Sequence, residues 1–173
     1  MKPSAAPALG SPARLAYLAL GSNLGDRKEN LHEALSRLRA RGVEVGRVSA
    51  FLETDPVGAP PGTETLRYLN AAAQIRTTLS PRSLLNLLLE IEREMGRARK
   101  AGEQNAPRGI DLDLLLYENL ILKEPGLQIP HPRLHLRFFV LSPLKEIAPN
   151  AEHPVFQKSI SDLCADLEVT LRH

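Results

Sequence analysis

Two aspartates one residue apart, Asp111 and Asp113, lie inside the apolar run Ile110-Asp111-Leu112-Asp113-Leu114-Leu115-Leu116. Such a run reads as a strand. Side chains alternate along a strand, so both carboxylates share one face with Cα atoms roughly 6.5–7 Å apart. Ile110, Leu112 and Leu114 then turn to the core. Two like charges side by side repel, and within an apolar strand they also lose hydration. A cation between them removes both costs. Carboxylate oxygens suit Mg2+, which takes one or two carboxylates and fills its octahedron with water and phosphate oxygens. A pair in this geometry can hold two such ions along a polyphosphate. The competing reading is an acidic, solvent-facing strand.

The preceding segment carries Arg93, Arg97, Arg99, Lys100 and Arg108, interspersed with Gly96, Gly102, Asn105 and Pro107. Arginine forks suit phosphate oxygens, and a glycine-containing loop can close over a ligand and reopen. Cations in front of metal-binding carboxylates make sense for a polyphosphate neutralised from both sides. Otherwise this is a solvated basic loop, with Arg97 and Arg99 paired to Glu92 or Glu94. No Walker-type loop is present, since Gly21-Ser22-Asn23-Leu24-Gly25 lacks both its spacing and its lysine. ATP would be handled by arginines and metal. No side chain stands out as a general base.

These groups must be held by the rest of the chain. With 173 residues, 43% hydrophobic, 24% charged and a net charge of +2, one ordinary domain is expected, neither disordered nor bound to polyanions by bulk charge. Aromatic residues are too few for a surface of stacked rings, and no apolar run approaches membrane-spanning length. One cysteine, Cys164, excludes an internal disulfide and suits the cytoplasm. Residues 1–13, rich in Pro, Ala and Gly, read as a trailing tail, and 14–173 as a single domain.

Arg14 to Leu20 reads as an inner strand. Asp26 and Glu29 open a helix with Leu31, Ala34, Leu35 and Leu38 on one face, ended by Gly42. Val43 to Leu52 is β-rich, with Gly46 a candidate bulge. Glu53 to Arg67 is a long Pro/Gly loop, of a kind often functional. Tyr68 to Thr77 alternates as a strand, and Ser80-Pro81 starts a second helix striped by Leu84, Leu88, Ile91 and Met95. The strand of the aspartate pair follows, then helices over Leu134–Ile147 and Ser159–Leu167. The order predicts an α+β, ferredoxin-like βαββαβ fold. Its antiparallel sheet carries helices on one face, with extra C-terminal helices, and leaves the other face to loops and ligands.

Four segments resemble the 6-hydroxymethyl-7,8-dihydropterin pyrophosphokinases. They are Gly21-Ser22-Asn23-Leu24-Gly25-Asp26, Tyr68-Leu69-Asn70-Ala71-Ala72, Pro107-Arg108-Gly109-Ile110-Asp111-Leu112-Asp113 and Pro130-His131-Pro132-Arg133. The likeness runs in order from about Arg14 to Leu167. It implies an enzyme of folate biosynthesis that moves the β,γ-diphosphate of MgATP onto the hydroxymethyl group of a reduced pterin and releases AMP. By the same resemblance Asp111 and Asp113 would hold two Mg2+, and Arg97 and Arg108 would grip the phosphates. Arg99, His131 and Arg137 would reach ATP. Asn70 would read the pterin edge, Tyr68 and Phe139 would sandwich its ring, and backbone around Thr54 and Val57 would complete that pocket. The chain departs from the family pattern at Leu89, Asn105 and Pro132, and its loop from Lys100 to Arg108 is one residue longer.

Beside this stand a two-metal nuclease or nucleotidyltransferase using the same aspartates, and an RNA-binding module of the same fold. The expectation is a monomer acting on small molecules, with no nucleic-acid or membrane partner. Phe138 and Phe139 cannot face one way, so one is assigned to the core and one to a pocket. Cys164 lies on an apolar stripe as core.

Overall fold

The computed structural model describes residues 10–56, 61–62, 66–96 and 109–173. Strand β1 (Arg14–Ser22) leads through Asp26 into helix α1 (Arg27–Ala40), and the Asp26 side chain accepts the Glu29 amide at 3.0 Å. The expected stripe of Leu31, Ala34, Leu35 and Leu38 is buried, and Gly42 takes the left-handed φ of 82° that ends the helix. β2 (Glu44–Val48) and β3 (Leu52–Thr54) follow, then β4 (Tyr68–Thr77) and α2 (Pro81–Glu94), capped by Ser80. β5 (Asp111–Tyr117) carries the aspartate pair.

Four of these strands line up as β2-β4-β1-β5 with every neighbouring pair antiparallel, and β3 adds to β4 beyond β2. The β2–β4 register shifts between Val45 and Val48, where Gly46 lies. Helices α1 and α2 cover one sheet face with a core of Leu18, Leu20, Leu31, Leu38, Ile75, Leu84, Leu88 and Ile91. Each such leucine, fully buried, contributes about 1.5–3 kcal/mol. Leu88→Ala leaves a cavity between α2 and the sheet. It should cost about 2–5 kcal/mol, read as a lower urea midpoint at unchanged slope.

The second face departs from expectation. After a hairpin of β6 (Leu122–Glu124) and β7 (Leu127–Ile129), a 3-10 turn (Leu134–Leu136) leads to α3 (Phe138–Ile147). The short hairpin β8 (Glu152–His153) and β9 (Lys158–Ser159) then leads to α4 (Ile160–Leu171). A second core of Tyr17, Ala72, Leu116, Leu141, Leu144, Ile160, Leu163 and Cys164 seats α3 and α4 on this face. It is therefore not left wholly to loops and ligands: helices close one end, and among the described residues only the end bearing Asn70, Gly21 and Asp111 stays open. The expected continuous helix over Leu134–Ile147 is also broken, because Arg137 is extended (φ −121°, ψ 107°). Leu134, Leu141 and Leu144 are spaced as on one unbroken helix, so the hydrophobic pattern does not register the break.

Candidate active site

Strand register assembles the open end of the sheet. Gly21 on β1 pairs with Asn70 on β4 and with Asp111 on β5, and Ala19 pairs with Ala72 and Asp113. Side chains in one cross-strand row share a face. Asn70 and Asp111 thus flank a residue without a side chain, two strand spacings or roughly 10 Å apart. Above this row opens a cavity of about 610 Å3. Thr54, Tyr68, Asn70, Asp111, Asp113, His131, Arg137 and Phe139 all line it, although they come from three strands, the segment after β7 and the first turn of α3. The structure brings these eight expected residues together. Val57, Arg97, Arg99 and Arg108 lie outside the described residues, as do the rest of the basic loop over 97–108 and the first nine residues of the tail.

Asn70 is buried, and its Nδ2 donates to the Leu52 carbonyl at 3.2 Å and to Thr54 Oγ1 at 2.8 Å. Both amide hydrogens are thereby spent on β3, and Oδ1 turns toward Gly21, where an added Cβ would meet it at 3.6 Å. What Asn70 offers a ligand is an acceptor. The rim beside it is tied by Arg67 to Asp55 and by Arg27 to Glu53, exposed ion pairs worth little in stability.

His131 is fixed by its backbone amide, which donates to the Leu115 carbonyl at 2.9 Å, and by its Nδ1, which accepts the Arg133 amide at 3.1 Å. An accepting Nδ1 places the proton of the neutral ring on Nε2. Burial first, and the Arg137 guanidinium second, push its pKa down to about 4, against an opposing pull from Asp111. At neutral pH the ring is an uncharged donor. The neutral form is the one the fold favours, so its stabilising contribution is complete above pH 6.5 and disappears as pH falls through about 4. Ring-proton NMR should give a His131 midpoint near 4, and a midpoint near the ordinary 6.5 would contradict this burial.

Phe138 and Phe139 both line the cavity: Phe138 is exposed, while Phe139 is half-buried against the second core and faces the cavity as well, so the two do not divide into one core and one pocket ring. The extended Arg137 is the reason: α3 begins only at Phe138, so its first turn projects over the cleft. The Arg137 guanidinium lies 5.7 Å from the Phe139 ring centroid, a cation–π contact that orients both side chains. The alternative pairing of Arg97 and Arg99 with Glu92 or Glu94 lies outside the described residues. Glu94 is bound by Arg37 and Arg41 of the α1 end, and Glu92 is buried against β5.

Sequence reasoning missed a second cavity of about 400 Å3, lined by Leu85, Leu89, Leu114, Lys123, Gln128 and Pro132. It shares Asp113 and His131 with the first. Leu89 and Pro132, two of the departures from the family pattern, fall here. Those departures were the available signal.

Residues 17–149 match the family described as 7,8-dihydro-6-hydroxymethylpterin-pyrophosphokinase (HPPK). The chain belongs to this family. It is 43% identical to the 2-amino-4-hydroxy-6-hydroxymethyldihydropteridine pyrophosphokinase of Bacillus subtilis over 139 residues, 80% of each chain. To the enzyme of the same name from Synechocystis it is 39% identical, over 90% of this chain and 77% of that one. A mitochondrial folate synthesis bifunctional protein of Arabidopsis thaliana is 44% identical over 78% of this chain, which spans 23% of that larger protein. Wild-type Plasmodium falciparum HPPK-DHPS superposes with a TM-score of 0.66 at 15% identity, over 89% of this chain and 44% of that one, a likeness of fold alone. The pyrophosphokinase is thus an enzyme of folate synthesis that uses ATP to transfer a pyrophosphoryl group to hydroxymethyldihydropterin. None of the helices among the described residues is long and apolar enough to cross a membrane.

Proposed function

We propose that the larger cavity takes the reduced pterin and the smaller one the nucleotide, with the phosphate chain passing between them beside Asp113 and His131. The observation carrying this reading is that two cavities of ligand size share Asp113, on the strand of the carboxylate pair, and His131, whose backbone amide is bonded to that strand at Leu115. Asp111 and Asp113 hold two Mg2+. Their donor set fits: two oxygen ligands on one face, and among the described residues no group of three or more His, Cys, Asp or Glu that could hold a metal. Mg2+ favours this sparse protein share, with phosphates and water completing the shell. When bound, the ions supply charge neutralisation and acidify the attacking hydroxyl.

The substrate's hydroxymethyl oxygen attacks the β-phosphorus of ATP. The bond from that phosphorus to the oxygen bridging to the α-phosphate breaks, AMP departs with the electron pair, and the hydroxyl proton passes to water. Asn70 accepts from the pterin's N–H edge, Tyr68 and Phe139 sandwich its ring, and the backbone around Thr54 and Val57 closes the pocket. His131 donates Nε2–H to a phosphate oxygen. Arg97, Arg99, Arg108 and Arg137 neutralise the phosphates, aligning the reactants without a side-chain base.

The fold reading that accompanies this is ferredoxin-like, supported by the strand order β2-β4-β1-β5 with two helices on one face. It takes 14–173 as one domain. The protein is taken as a monomer in the cytoplasm, and the lone, buried Cys164 suits such a reducing compartment. Chromatography of the products tests the chemistry: one AMP should form per pterin diphosphorylated, and stoichiometric ADP would end this reading.

A further inference from the structure

Glu92 is a carboxylate where the pattern of α2 calls for an apolar residue. It continues the Leu84, Leu88 stripe by one more turn, and it is 1% exposed in the core between α2 and the sheet. Burying such a group is costly unless it is hydrogen-bonded. Its Oε1 accepts the backbone amide of Leu112 at 2.8 Å. Leu112 is the residue between the two aspartates, and among the described residues β5 is the outer strand of the sheet, with β1 as its neighbour on one side only. Along such an outer strand, alternate amides point away from the sheet with no strand to receive them. The Leu112 amide is one of these, and α2 supplies its acceptor.

We infer that Glu92 is a positioning residue for the carboxylate pair. By pinning the outer edge of β5 at Leu112, it sets the pitch of the strand where Asp111 and Asp113 project into the cleft. A free outer edge can twist or bulge locally, and either motion re-aims adjacent side chains. Glu92 lines neither cavity and acts through the backbone of the pair. The inference rests on the reading of Asp111 and Asp113 as metal-holding residues.

Mn2+ titration by electron paramagnetic resonance, in the presence of an unreactive α,β-methylene ATP analogue, tests it together with amide exchange at Leu112. Glu92→Leu should lose protection at Leu112 and bind Mn2+ about 10–100-fold more weakly, whereas Glu92→Gln, which keeps an accepting oxygen, should stay within about threefold of the native protein. Pterin affinity should stay nearly constant in both. A Glu92→Leu protein that keeps native exchange in β1 and binds Mn2+ normally overturns the inference. So does a Glu92→Gln protein that loses Leu112 protection yet binds Mn2+ normally, a result that decides the matter even if Glu92→Leu does not fold. Failure of the native protein to bind Mn2+ would instead bring down the reading of the aspartates, and this inference with it.

Discussion

Asp111→Ala, and separately Asp113→Ala, should abolish turnover while leaving the fold in place. On the metal-holding role proposed for the pair, each change removes one of two carboxylate ligands from a cation that the transferring phosphates need, a loss of several kcal/mol at the transition state. At about 1.4 kcal/mol per factor of ten, turnover should fall at least about 10^3-fold. The fold should survive, because both side chains are only half-buried and face the cleft, while Ile110, Leu112 and Leu114 supply the core contacts of the strand. Each substitution also relieves the repulsion between like charges on one face. AMP release and a thermal melt, measured on the same preparation, separate the two effects. Native turnover in either variant would remove the metal assignment.

Asn70→Ala should act on one substrate only. Its amide group is committed to Leu52 and Thr54, so the variant loses the accepting oxygen at the floor of the cavity and the tie that holds β3 against β4. A pterin N–H left without its acceptor costs about 1–3 kcal/mol, which is about 5–150-fold in affinity. The smaller cavity, proposed for the nucleotide, does not include Asn70, so binding of an unreactive ATP analogue should hardly change. Calorimetry with each ligand in turn reads the difference. Equal losses for both would argue against the role given to Asn70.

The two variants probe opposite ends of one cross-strand row, Asn70–Gly21–Asp111, and the row accounts for how legible this protein was. Gly21, Asn70 and the aspartate pair each stand in a sequence segment recognisable from residue type and order. That they meet follows from antiparallel pairing with the small Gly21 between them, which no single segment contains. Local signals performed well wherever structure is set by nearest neighbours. The Asp26 and Ser80 caps, the stop at Gly42 and the apolar stripes of α1 and α2 are all where capping chemistry and a 3.6-residue period place them.

The failures share a cause. An extended Arg137 inside a helix-compatible pattern, the seating of α3 and α4 on the second sheet face, and the cavity beneath Leu89 and Pro132 all depend on contacts between segments far apart in the chain. Glu92 is the sharpest instance, since in the sequence it is one more acid beside a basic loop.

From the order of amino acids alone came the α+β class, the placing of both aspartates on one strand face, and the kinship of the four motifs, because each depends on residue type at short spacing. Only the folded chain decided which end of the sheet stays open, which way Asn70 turns its oxygen, and that His131 is neutral. Those properties arise from desolvation and cross-strand registry, and both exist only after distant segments have packed.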